Sequence, residues 1–259
     1  MAKAWKPFPH DDASYVYTPA TLKKHWPRLH RGDQEPLPKS AAVVDAWIAF
    51  HAGQFQRAVQ LGLAAGAAGL VAANKAQLIH ATYLESADKA KGELFSEVVR
   101  RCEAQQAAEP DNPNAWYLHA AALGRYAQSV SVARALAEGA GGKVRASLTR
   151  ALALAPDHPD AHIALGAYHA EVIDKVGAMV GGLTYGAKKD EGLRLLERAV
   201  ALNPDSAIAR IEFANALAML EGKKALPRAE KLYAEAAACK PMDAMERLDV
   251  ELAKAEIDD

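Results

Sequence analysis

The segment EGAGGKVRAS, running from Glu138 to Ser147, places glycines just ahead of a lysine. That is the composition of a loop that wraps a phosphate with backbone N–H groups. Such a loop needs glycine at its first place, here Ala137, and serine or threonine after the lysine, here Val144. The segment therefore reads as a plain connection between helices. His162 and His169 lie seven residues apart on one expected helix, with Glu171 close by. A zinc site needs three or four convergent ligands, so two histidines at this spacing read as packing or groove residues. His25 and His30 flank Trp26 and read as part of a packed surface. Cys102 has Arg100 and Arg101 beside it, which could activate a thiol. Its place in the middle of a helix favours a buried, inert side chain. No Gly-x-Ser-x-Gly turn occurs in the sequence. These residues assign no catalytic group, metal or cofactor, and the chain is expected not to be an enzyme.

The more informative pattern is a recurring phrase. ERAVALNPDSAIA (Glu197 to Ala209) restates RALALAPDHPDAH (Arg150 to His162), and EAQQAAEPDNPNAW (Glu103 to Trp116) is a worn copy. Each is an alanine-rich amphipathic run, a proline turn and the start of a second run. Equivalent prolines, Pro110, Pro156, Pro204 and Pro241, are separated by 46, 48 and 37 residues. From about Ser40 onward the periodicity is helical throughout, with no alternating run of β-branched residues. Residues 1–38 differ. They hold six of the 13 prolines and the aromatics Trp5, Phe8, Tyr15, Tyr17 and Trp26. Prolines at that density forbid a long helix, and aromatics at that density favour an irregular arm packed on the body. Thr18 and Pro19 predict one short helix to Leu29, with threonine as cap and proline at the first helical position.

The repeat resembles the tetratricopeptide superfamily over about residues 40–240, with units roughly 3 to 14 residues longer than its usual period. Large residues that open the first helix of a pair, followed four places later by small ones, are Trp116 and Ala120, His162 and Gly166, and Arg210 and Ala214. Ala151, Ala199 and Ala236 precede the turns, and Gly53, Phe55 and Ala58 match the start of a second helix. The extra length is expected between paired helices, in Ala137–Lys143 and Val180–Lys189. Around Tyr185-Gly186 the last units resemble the tetratricopeptide proteins associated with TRAP transporters and the microtubule-dynamics regulators. With WKPFPH and RLHRGD included, the chain is similar to an uncharacterised group of bacterial tetratricopeptide proteins.

The fold expected is all-α: a solenoid of helical hairpins with lengthened loops and an N-terminal arm. The arm covers 1–38, about five helix pairs cover 39–241, and a capping helix covers 242–259. Of the 259 residues, 24% are charged and the net charge is −1, so no basic excess invites nucleic acid. The two cysteines lie far apart, the first residues lack an apolar signal, and no apolar run suits a bilayer, so a cytoplasmic location is expected. Stacked pairs of this kind bury a continuous core and leave a concave face. Mapping the period places Trp47, His51, Tyr117, Arg125, Glu171 and Asn215 on that face, with Tyr185 in a loop at its end. This set suits a protein or peptide partner. A small ligand closed in by the loops and the arm is the alternative, and homo-oligomerisation is left open.

Overall fold

A computed structural model describes residues 5–130, 134–135 and 138–258 and is all-helical among them. After the arm helix α1 (Pro19–Leu29), five antiparallel pairs follow one another. They are α2 (Ala41–His51) with α3 (Phe55–Ala64), α4 (Leu70–Tyr83) with α5 (Asp88–Ala108), and α6 (Pro113–Ser129) with α7 (Ala140–Leu154). Next come α8 (Pro159–Tyr185) with α9 (Lys189–Leu202), α10 (Ala207–Glu221) with α11 (Leu226–Ala237), and a closing helix α12 (Ala244–Asp258).

The recurring phrase is the joint between pairs, and it carries its own caps. Asn112, His158 and Ser206 accept backbone N–H groups at the starts of α6, α8 and α10. Proline occupies the first turn of α6 and α8, where its missing N–H costs nothing. Small residues then set the helix spacing. Ala151, Ala199 and Ala236 are fully buried, and a Cβ on Gly166 would lie 2.5 Å from the Leu196 side chain. That leaves no room for anything larger than glycine where α8 crosses α9.

The extra length of the fourth unit is mostly helical. Only residues 186–188 form a loop; Val180–Tyr185 belongs to α8, which is interrupted at Gly177 (φ 80°) and ended by Gly186 (φ 63°). Glycine tolerates both conformations, so the helix bends and resumes. In the third unit, Gly139 (φ 65°) caps α7, and Gly141, Gly142 and Lys143 lie in its first turn. Ala137 lies outside the described residues.

The arm is ordered by its aromatics and prolines. Thr18 and Thr21 form a reciprocal capping box at the start of α1. Phe8, Tyr15, Tyr17, Leu22 and Trp26 share one core with Val43, Trp47 and Phe50 of α2 and with Ala244 and Leu248 of α12. Helix α12 packs directly against α2. The two ends of the solenoid therefore meet, and the arm fills their seam. What would be an open superhelix is drawn into a ring.

Candidate functional site

The inner wall of the ring is built by the first helix of each pair from α4 onward, with α12 closing the circle. Three contacts across it show how tight the circle is. Tyr83 of α4 donates to Asp249 of α12. Arg125 of α6 reaches Glu212 of α10 at 3.4 Å, and Gln128 of α6 donates to Glu171 of α8 at 2.8 Å. The space enclosed is about 310 Å³, within the range of small-ligand cavities.

One edge of this cavity is sealed by arm residues 28–35, which run along the repeat joints in reverse order. Glu35 accepts from Asn114 at 2.6 Å at the start of α6. Gln34 donates to the Asp157 carbonyl at 2.7 Å, and the Gly32 carbonyl accepts the Asp160 N–H at 3.0 Å, both at the α7–α8 joint. Arg31 pairs with Asp205 at 2.7 Å at the α9–α10 joint. Arg28 pairs with Glu246 at 2.5 Å, and the Tyr17 hydroxyl donates to the Met242 carbonyl at 2.8 Å, at the last joint. The proline turns repeat because each is a joint, and each joint also presents a polar group to the arm. A Cβ on Gly32 would lie 2.5 Å from an Asp160 oxygen, so any larger residue where the strap crosses α8 would displace that carboxylate.

Beneath the strap lies a buried polar chain. Lys75 donates to Asp33 at 2.5 Å and sits 4.0 Å from Asp160. Asp33 also meets His30 Nδ1 at 2.9 Å. His30 Nε2 faces His51 Nε2 at 3.3 Å, and His51 Nδ1 meets Asp243 at 2.7 Å. Burial holds His30 down at about 4. Burial opposes ionisation of Asp33, but the contact with His30, the Lys75 charge and the hydrogen bonds from both outweigh it and hold Asp33 well below the usual carboxylate range.

Trp47 and His51 are thus not available on the concave face. Trp47 is 0% and His51 1% exposed, covered by Trp26, His30 and Tyr17 of the arm. Helix periodicity places a residue on a face but cannot show that another segment of the chain covers that face. Tyr117, Arg125 and Glu171 line the cavity, as does Tyr185, which lies at the end of α8 and not in a loop. Asn215 does not line it; its Oδ1 accepts from Tyr233, one turn beyond Glu212, which does. Among the other residues weighed from sequence, His162 bonds the Pro156 carbonyl at 2.8 Å and His169 accepts from the Lys188 N–H at 3.1 Å. Burial pushes the Cys102 thiol up to about 12, which removes its nucleophilic form. The groups that the sequence reading passed over are Asp33, Lys75, Tyr83, Glu212 and Asp249. A lysine inside the apolar run LVAANKAQLIH was the one legible signal among them.

The fold is a solenoid of helical hairpins whose two ends meet around an internal cavity. No protein-family model matches the chain, and no curated protein does. Among solved structures it is similar to a thermophilic tetratricopeptide-repeat protein of Thermus thermophilus. The TM-score is 0.59 at 17% identity, over 83% of this chain and 97% of that one. That likeness is one of fold.

Proposed function

We propose that the chain is a non-enzymatic binding protein that holds a small ligand inside the ring, in preference to an extended peptide along an open groove. The observation that carries this reading is the closure itself. The arm and α12 occupy the seam where a peptide would enter an open superhelix, and they bury Trp47 and His51. The remaining access lies on the rim opposite the strap, where Gln128 and Lys175 are exposed. The wall combines apolar side chains with a few convergent polar ones, the usual make-up of a small-molecule site. A second reading, an adaptor for a protein partner, draws on the exposed Met179, Val180 and Leu183 on the last turns of α8, beside that rim.

The test uses Gly124, which lines the cavity from the middle of α6 and has open space where a Cβ would stand. Gly124→Trp fills the cavity, and its effect on helix propensity is favourable. N-phenyl-1-naphthylamine, a neutral apolar fluorophore, is expected to bind the native chain at one site and to lose that binding in the variant, with the melting temperature held or raised. Equal binding to both would overturn the proposal.

A further inference from the structure

We propose that the cavity takes a ligand with a compact cationic head, an ammonium or guanidinium group, and an apolar tail, the head seated against Asp249. This rests on the small-ligand reading above and specifies its chemistry.

The argument begins with a census of charge around the wall. Arg125 faces Glu212 at 3.4 Å. Lys175 pairs with Glu171 at 3.5 Å. Glu246 is held by Arg28 at 2.5 Å, and Asp243, behind the wall, by His51 at 2.7 Å. Lys75 serves Asp33 at 2.5 Å and Asp160 at 4.0 Å. Asp249 differs. It is 5% exposed, lines the cavity and has no cation within ion-pair range among the described residues. Its Oδ1 accepts the Tyr83 hydroxyl, and its Oδ2 has no hydrogen-bond partner among the described residues. A buried carboxyl in that state is costly when ionised, and a bound cation removes the cost.

The surroundings favour a cation over a neutral acceptor. The groups acting on Asp249 or on the Tyr83 hydroxyl that it accepts are Asp243 and Glu246 from its own end of the chain, Asp160 of α8 and Glu212 of α10, against Arg125 of α6. Lys75 of α4 and the Tyr117 hydroxyl of α6 complete the wall. Acids outnumber bases, and each base is already engaged. Burial, reinforced by those acids, pushes Asp249 up to about 8, so near neutral pH it holds a proton that a cationic head would expel. Away from this end the wall is apolar, through Ile79, Leu118, Ala164, Val172 and Ile208. A head-and-tail ligand matches that division.

Displacement of N-phenyl-1-naphthylamine by n-decylamine, n-decanol and n-decanoate, read at pH 6, 7 and 8, tests the class. The amine is expected to bind at least about tenfold more tightly than the alcohol at pH 8, with decanoate weakest. Its affinity should rise by up to about tenfold per pH unit towards 8 and then level, as one proton is displaced. Asp249→Asn should erase the preference and the pH slope while the alcohol still binds, which also shows that the variant is folded. Alcohol or carboxylate binding as tightly as the amine would overturn the ligand class and leave the cavity reading standing. Failure of the fluorophore and all three probes to bind the native chain would overturn both.

Discussion

Lys75→Met asks whether a buried ion pair holds the strap across the joints. Lys75 is 4% and Asp33 1% exposed, and they meet at 2.5 Å. Removing one member of such a pair strands the other, at about 3–5 kcal/mol. Asp33 would keep the His30 contact and the Glu35 N–H, so the lower end, about 3 kcal/mol, is expected. For a chain of this size that is a fall of roughly 6–12 °C in melting temperature. Asp33→Asn alone should cost a similar amount, because it strands the lysine. The double variant should recover about 2 kcal/mol relative to the sum, since no charge is left stranded. Urea unfolding of the four proteins measures the cycle. Trypsin cleavage after the exposed Lys23 and Lys24 of α1 reports the strap directly and should speed up in each single variant. A single-variant loss below about 1 kcal/mol, or losses that simply add, would refute the view that this pair fastens the arm.

Two further outcomes follow from the joints and the seam. His158 is fully buried, accepts the Ala161 N–H at 3.1 Å on Nδ1 and bonds Asn114 at 3.0 Å through Nε2, and burial holds it down at about 4. The unfolded imidazole gains its proton near pH 6.5, so this contribution is complete above about 6.5 and is lost as pH falls towards 4. Urea midpoints should therefore drop between pH 7 and pH 5, and His158→Asn, which keeps a capping oxygen, should show a shallower drop; parallel profiles would count against it. Gly53 has φ 76°, and a Cβ there would stand 2.6 Å from the Phe8 ring. Gly53→Ala should cost roughly 1–2 kcal/mol in backbone strain and raise hydrogen exchange around Phe8 more than in α8–α12, whereas uniform or absent change would break the link between this turn and the arm.

The period of apolar residues, the alanines at crossings and the proline joints were enough to read helix pairs, because each pair forms from contacts within a few tens of residues. Thr18, Pro19 and the joint prolines mark helix starts by purely local geometry. The same local logic placed Tyr117, Arg125 and Glu171 on the inner face, where they line the cavity. It failed for Trp47 and His51, whose cover comes from Trp26 and His30, and for Asn215, whose side chain turns to Tyr233. It also gave no sign that Asp249 would stand without a cation while Glu246 beside it has Arg28. What the sequence by itself determined was the repeat and the order of its helices. Only the tertiary structure decided that the last helix returns to the second, that the arm seals the seam, and hence which charges are buried and that Asp249 has no cation in ion-pair range among the described residues. Ring closure depends on the sum of small rotations between successive pairs, and burial of a charge depends on partners more than 150 residues away in the chain, as between Tyr83 and Asp249 or His51 and Asp243.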